Sequence, residues 1–263
     1  MNLKCMFKYL LTIIFIIITT INLQSQGFDW QWSARFPVIN PQNYYGFNVN
    51  YGINYSIGNI TFRENNVSCP DFINANGNNI GFGINYIYWE RNNSYAVYGA
   101  LRYNNFSIST NSIDNVPITD DIIAQYKITL DCNFHQIDLQ CGINYRVINY
   151  SVLEHFFLGA GIEIGTIVNN DFVAMEEILG PPEVPPFSTN PKSYKREITS
   201  GQFNKINKFN IKPQVKIGYN LELGRGSYIE PNICFSIPLR SMFSDDKINH
   251  YSILFGINFF TCF

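Results

Sequence analysis

Charged residues at alternating positions are the first candidates for chemistry in this chain, because each interrupts a segment of apolar, small or amide side chains. We predict that they point to the enclosed face of a sheet, where a buried charge needs a partner or water. Four basic and four acidic residues favour a self-neutralising network, with a selective ion path as the functional alternative. The set comprises Arg102, Asp138, Arg146, Glu163, Lys212, Lys216, Glu222 and Glu230.

Within this set we expect Lys212 and Lys216 to bracket Glu163 from the neighbouring strand. Adjacent strands lie about 4.8 Å apart, so long lysine side chains can reach that carboxylate. We therefore predict that these residues, with Arg102 and Glu230, form a plug that leaves no continuous water path.

Histidine and serine give the second candidate site, in His250-Tyr-Ser252. This pair is similar to the His-x-Ser pair of outer-membrane lipid A deacylases, small barrels in which histidine is the base and serine the nucleophile. That resemblance covers three residues and implies an acidic residue on a following strand, whereas Asp245 and Asp246 come before the pair. Since a triad needs the correct geometry, the pattern favours a polar histidine at a strand end. We expect no enzyme, no metal and no cofactor.

Strict alternation defines the elements that must position these residues. In Tyr45–Ile57 the odd positions are tyrosine, phenylalanine, valine and isoleucine, and the even positions are glycine, asparagine and serine. Apolar residues on one face and small or polar residues on the other are typical of a transmembrane β-barrel strand. The same pattern recurs in seven further segments, at 80–88, 95–104, 137–147, 156–165, 209–221, 229–239 and 251–263.

The connections alternate in length. Those at 90–94, 148–154 and 224–227 are short, and outer-membrane barrels have short periplasmic turns and longer external loops. The pattern predicts an all-β fold: a closed antiparallel transmembrane barrel of about eight strands, in an up-and-down meander with both termini periplasmic. The longer connections are 63–78, 105–128, 168–207 and 240–249.

Prolines affect two parts of this prediction. The connection 168–207 contains a proline-rich stretch that cannot join a ladder, so it should be the main exposed loop. Pro213 and Pro231 lie inside alternating segments, where a closed barrel has no free edge to accommodate a missing N–H. We expect bulges there, or pairing that stops short of the two prolines.

The N-terminus resembles a secretory signal. Lys4 and Lys8 precede an apolar run at 9–21 that is too short to span the roughly 30 Å core of a bilayer as a helix. The predicted organisation is a signal peptide at 1–26, a tryptophan-rich periplasmic lead-in at 27–42, and the barrel domain at 43–263.

The C-terminus resembles the signal that the barrel-insertion machinery reads in bacterial outer-membrane proteins. This signal is a terminal aromatic residue that closes an alternating strand. Here the predicted insertion signal comprises Tyr251, Phe259 and Phe263.

Composition agrees with an outer-membrane location. Aromatic residues are 16% of the chain and charged residues only 14%, whereas soluble proteins carry about 25% charged residues. The sequence pI of 5.9 gives no reason to expect nucleic-acid binding. Since eight strands enclose only enough room for side chains, we expect a filled lumen.

Repeated Gly-Ile-Asn-Tyr elements at 52–55, 83–86 and 142–145 accompany these end signals. Together they resemble the small Bacteroidetes-type outer-membrane barrels, which include PorT-like barrels linked to gliding and type IX secretion. Barrels of this architecture have many roles. The most direct expectation is a non-enzymatic barrel with a structural or binding role through its external loops. Assembly of a secretion apparatus is the runner-up, ahead of a lipid A hydrolase or a small pore.

The expected partners follow from that location. They are outer-membrane lipid and lipopolysaccharide, the insertion machinery during assembly, and envelope or secretion proteins.

Overall fold

The structure is a computed structural model. It describes residues 42–60, 63–64, 67–68, 72–90, 94–119, 122–146, 155–180, 184–188, 193–203, 206–224, 226–243 and 249–262. The predicted signal peptide, the lead-in apart from Gln42, the acidic pair Asp245–Asp246 and the terminal Phe263 lie outside the described residues.

Twelve strands occur in the described part of the chain. They are β1 (Asn43–Ile60), β2 (Arg63–Glu64), β3 (Val67–Ser68), β4 (Phe72–Trp89), β5 (Tyr95–Thr119), β6 (Ile122–Arg146), β7 (Phe156–Gly180), β8 (Lys195–Gly201), β9 (Phe209–Tyr219), β10 (Leu221–Gly224), β11 (Ser227–Ser236) and β12 (Asn249–Thr261). A search of these same residues for a helix long and apolar enough to cross a membrane finds none.

Eight of these strands close into a ring. The order is β1, β4, β5, β6, β7, β9, β11 and β12, and β12 pairs again with β1. Every pairing is antiparallel, so the predicted eight-stranded up-and-down barrel is confirmed. β8 extends the sheet beside β7, and β10 continues the line of β9 beside β11.

The two ends of the barrel differ. One end, here called the turn end, holds the short connections after β4 and β10 and the first and last described residues. There Gln42 O accepts a 2.8 Å hydrogen bond from Trp89 N, and Gly226 O accepts one of 2.9 Å from Cys262 N. The opposite end, here called the loop end, holds the longer connections after β1, β7 and β11, and also the short turn between β5 and β6.

Alternation sets the two faces of the barrel wall. On β1, Phe47 points outward and is 56% exposed, whereas its neighbour Asn48 points inward and is 5% exposed. Successive side chains of a strand point to opposite faces of the sheet. The strands with this pattern turn their apolar face outward, and together they form an apolar band around the barrel. The outward face is therefore as predicted from the sequence.

The predicted long loops at 105–128 and 168–207 are largely wrong. β5 and β6 form one continuous hairpin, in which residues 95–119 pair with 122–145. β7 runs on to Gly180, and β8 pairs with it. The predicted loop at 63–78 is likewise shortened, because β4 begins at Phe72.

Where these strands extend beyond the apolar band, the apolar residues move from the outward to the inward positions. This exchange makes the extensions hard to recognise as strands in the sequence. Beyond Tyr103 the outward positions of β5 become polar, while its inward positions become apolar at Phe106 and Ile108. On β7 a bulge at Val168 also switches the parity of the inward residues, because Ile167 pairs with Gln136 and Asn169 with His135. A search for apolar outward positions therefore ends too early.

Both internal prolines lie at the ends of one ladder, and of the two expected accommodations the structure has the shortened pairing. The β9–β11 ladder contains five pairs, from Gln214 with Ser236 to Gly218 with Asn232. Pro213 and Pro231 lie immediately beyond its two ends. This ladder thus stops short of residues that cannot donate a hydrogen bond. On its other side each proline stays in register, Pro213 with Ile162 of β7 and Pro231 with Ile257 of β12. Pro213 O still accepts a 3.0 Å hydrogen bond from Ile237 N.

The interior has three layers. An aromatic layer at the turn end comprises Tyr44, Ile87, Trp89, Ala96, Tyr98, Tyr228 and Phe260. A polar layer containing the buried charges occupies the middle. At the loop end an apolar cluster follows, which includes Phe72, Phe106, Phe134, Phe172, Phe203, Met242 and Phe243.

Candidate functional site

Glu163 is the centre of the polar layer. Its Oε2 atom lies 2.6 Å from Arg102 Nη2, and its Oε1 atom lies 3.2 Å from Lys212 Nζ. Gln140 Nε2 donates a further hydrogen bond of 2.9 Å to Oε2. Because Glu163 is only 3% exposed, these donors replace the water that its carboxylate loses.

Lys216 belongs to a second ion pair. Its Nζ atom lies 3.1 Å from Glu230 Oε1, which also accepts a 2.7 Å hydrogen bond from Asn258 Nδ2. The expectation that Lys212 and Lys216 both bracket Glu163 is therefore wrong. Lys216 lies four residues beyond Lys212 and pairs with Glu230 across the β9–β11 seam. The second cation at Glu163 is Arg102.

Asp138 is held by amides. Asn104 Nδ2 donates to its Oδ2 atom, and Gln136 Nε2 donates to its Oδ1 atom. The side chain fits because residue 165 is glycine, since a Cβ atom there would collide with Asp138 Oδ1. Asp138 is fully buried.

Two predicted members lie away from this centre. Arg146 lies at the turn end, where its guanidinium carbon is 4.1 Å from the centroid of the Trp89 ring. Glu222 lies outside the closed part of the lumen: it is 71% exposed on β10, and its Oε1 atom is 4.0 Å from His155 Nδ1. Glu222 pairs in register with the inward-facing Tyr228, so it keeps the inward parity but lies at the open rim of the turn end.

The His250-Tyr-Ser252 pair is divided between two different contacts. His250 Nδ1 lies 3.0 Å from Ser56 Oγ, whereas Ser252 Oγ lies 2.9 Å from Ser236 Oγ. Both residues point inward and are at most 3% exposed. His250 lies under the loop-end cluster, with the Phe106 ring 5.1 Å away.

The sequence analysis does not single out Tyr98, whose side chain contacts both Gln214 and Lys216 in the lumen. Its hydroxyl accepts a 2.8 Å hydrogen bond from Gln214 Nε2, and Lys216 Nζ lies 4.1 Å from the centroid of its ring. Glycines make room for it, because a Cβ atom at Gly142 or Gly161 would lie 2.6 Å from the Tyr98 hydroxyl. Those inward glycines, opposite a tyrosine of a neighbouring strand, were the available signal.

The predicted insertion signal is only partly described. Phe259 faces outward beside Phe47, with ring centroids 5.3 Å apart. Tyr251 is half-buried on β12 and pairs with Tyr55 of β1. These contacts complete the outer surface at the seam between the first and last strands.

The charges compensate each other. Three buried cations face three buried carboxylates in the central layer, and aromatic side chains close the layer on both sides. Among the described residues, no group of three His, Cys, Asp or Glu side chains could hold a metal ion. The arrangement can neutralise charge and close the lumen.

No protein-family model matches the chain, and no curated protein matches it. Three outer-membrane proteins resemble it among solved structures. Ail, the attachment invasion locus protein of Yersinia pestis, has 11% identity and a TM-score of 0.33 over 83% of this chain and 99% of Ail. The outer membrane protease OmpT from Escherichia coli has 9% identity and a TM-score of 0.37, over 87% and 99%. Neisserial surface protein A has 9% identity and a TM-score of 0.34, over 81% and 95%.

Similarities of this size carry no argument about function. The barrel fold rests on the closed hydrogen-bonded ring of this chain.

Proposed function

We propose that the protein is an integral barrel of the bacterial outer membrane. Support comes from the outward face, where side chains such as Phe47, Ile84 and Ile257 are more than half exposed. Exposure of so many large apolar side chains is unfavourable in water and favourable in lipid. A closed barrel also satisfies every backbone group of the wall in a bilayer.

In this proposal the turn end faces the periplasm and the loop end faces the outside, because outer-membrane barrels have short turns on the periplasmic side. A paired test follows. Ile118→Cys at the loop end should react with a membrane-impermeant maleimide on intact cells. Leu223→Cys, which is similarly exposed at the turn end, should react only after the outer membrane is broken. The opposite labelling pattern would show that the orientation is inverted.

The length of β5, β6 and β7 carries the functional proposal. Each has 25 residues, whereas a tilted strand crosses a bilayer with about 9–11 residues. The parts of these strands at the loop end, beyond Tyr103 on β5, before His135 on β6 and beyond Val168 on β7, form a sheet that we call the platform. Its apolar core includes Phe134, Phe172 and Phe203. A platform outside the membrane with its own packed core supports a binding or structural role better than transport.

Shortening the platform tests this role. Ile113 and Lys127 are partners in the β5–β6 ladder, so an Asn-Gly turn can replace residues 114–126 between them. The shortened barrel should still insert and shift its gel mobility on heating. If the platform binds an envelope component, site-specific crosslinks formed on cells from Ser109 should be lost in the shortened protein. Unchanged crosslinks would remove the case for the platform.

We propose no enzymatic activity. The sealed position of His250 supports this proposal, because a lipid substrate needs access to base and nucleophile together. Mass spectrometry of lipid A from cells with the natural protein and with His250→Ala should give identical species. A loss of one modified species in the variant would favour the hydrolase.

PorT-like membership and a role in a secretion apparatus stay predictions. Affinity purification from crosslinked envelopes tests them. Recovery of the same secretion components with the natural protein and their loss with the shortened platform would support the assembly role.

A further inference from the structure

A small chamber lies in the lumen beside the ion pairs, lined by residues of β1, β4, β5, β6, β9, β11 and β12. Its volume is about 30 Å³, counted as the space open to the centre of a water molecule. The lining that matters for its chemistry comprises Asn48, Asn50, Asn85, Arg102 and Lys216. Polar and apolar side chains therefore share the lining of this chamber in the lumen.

Several lining atoms have no hydrogen-bond partner within the described protein. They are both amide atoms of Asn50 and of Asn85, Oδ1 of Asn48 and Nε of Arg102. Each of these four residues is at most 8% exposed. A buried polar atom without a partner is unfavourable, so several together in one small space indicate a bound ligand.

The mixture of donors and acceptors identifies the ligand. Arg102 and Lys216 disfavour a cation, and the amide oxygens of Asn48, Asn50 and Asn85 disfavour an anion. Water both donates and accepts, and a chamber needs only about 10–15 Å³ of such space for each molecule. We propose that this chamber is a site for a fixed cluster of about two water molecules.

Side chains on two sides of the chamber restrict the exchange of this water. Tyr98 and Phe260, which belong to the turn-end aromatic layer, line it below, and Leu254 lines it from β12. On the charged side, the water reaches Nε of Arg102, whose Nη2 atom holds Glu163. The cluster thus links the amide wall to the central ion pairs, and this link does not depend on the proposed binding role.

Nuclear magnetic resonance of the natural protein in detergent micelles provides the test. The side-chain amide protons of Asn50 and Asn85 should show cross-peaks to water, with the sign that marks residence longer than molecular tumbling. Asn50→Leu has nearly the same shape and no hydrogen-bonding atoms, so the Asn85 cross-peak to water should be lost. Asn54→Leu is the matched control, because Asn54 is equally buried on β1 but does not line the chamber.

The natural protein decides the question even if Asn50→Leu fails to fold. Absence of water cross-peaks at both amides would overturn the proposal in favour of a dry chamber. An anomalous bromide peak in the chamber, in crystals grown with bromide, would overturn it in favour of an anion site. Persistent cross-peaks without bromide would support the water cluster.

Discussion

Arg102 and Glu163 meet across a strand that lies between them. Arg102 on β5 is in register with Asp138 on β6, yet its Nη2 atom bonds at 2.6 Å to Glu163 on β7. The guanidinium group thereby spans three strands of the wall. Since Lys212 on β9 joins the same carboxylate, Glu163 connects four consecutive strands of the barrel.

Replacing Glu163 by glutamine should strongly destabilise the barrel. The variant leaves Arg102 and Lys212 buried without their carboxylate, and breaking a buried pair by removing one partner costs about 3–5 kcal/mol. Urea unfolding in detergent, followed by gel mobility, should show this loss of unfolding free energy. Glu222→Gln is the control, because that exposed carboxylate should change stability by less than about 0.5 kcal/mol. Equal losses in both variants would contradict the central role of Glu163.

A methyl group at residue 161 should be poorly tolerated. A Cβ atom there would lie 2.5 Å from the backbone oxygen of Cys141 and 2.6 Å from the Tyr98 hydroxyl. Overpacking of this kind costs about 1–3 kcal/mol. Gly99→Ala is the matched control, since its Cβ atom would meet only Gln140 O, at an ordinary 3.7 Å. Parallel urea titrations should separate the two variants, and equal midpoints would argue against the packing of Tyr98.

The β9–β11 seam should exchange its backbone hydrogens fastest among the barrel seams. It has five pairs flanked by prolines, whereas the β5–β6 ladder continues through most of two 25-residue strands. Hydrogen exchange read by mass spectrometry should show faster uptake in 214–218 than in 97–106. Pro231→Val restores one donor, worth about 0.5–1.5 kcal/mol, and should slow exchange there. Slower exchange at 214–218 than at 97–106 would contradict a weak seam.

Purified protein in planar bilayers should show no steady conductance. Glu163→Gln should also stay closed, because aromatic layers remain above and below the ion pairs. Combined Phe106→Ala and Trp89→Ala changes act on both layers and should give the first measurable currents. Large, stable, ion-selective currents from the natural protein would favour a channel instead.

Trypsin on intact cells should spare Lys127. That residue pairs with Ile113 on one side and Glu177 on the other, so its backbone is held in the sheet. Proteases need a locally extended and free segment. Boiled protein is the control and should be cut at Lys127. Cleavage there in unheated cells would show that the platform opens.

The fold could be predicted from the sequence wherever one face of a strand meets lipid and the other does not. On β1 the outward Phe47 and inward Asn48 differ so sharply that period two is unmistakable. The outer half of β5 lacks this contrast in the expected sense, because Phe106 is buried and Ser109 is exposed. Alternation persists there with its faces exchanged, and a rule based on apolar outward residues does not detect it.

For the candidate site, the sequence predicts which charged side chains point into the lumen, but not which of them form ion pairs with each other. Parity placed Arg102, Glu163, Lys212 and Lys216 on the lumen side, as the structure has them. Which cation reaches which carboxylate depends on strand stagger and on side-chain reach across the lumen. Neither quantity appears in the sequence, which is why the expected pair of Lys216 with Glu163 differs from the observed pair of Lys216 with Glu230.

The short seam also decides where this chain could be cut and rejoined. The first and last described residues lie beside the β1–β12 seam, which has thirteen pairs, and the five-pair seam lies beside the turn between Gly224 and Ser227. A sheet opened at β9–β11 would keep its other seams, and the described chain would begin and end between its second and third strands. A circular permutant that starts at Ser227 and ends at Gly224 would therefore place its new ends where the least cohesion is lost.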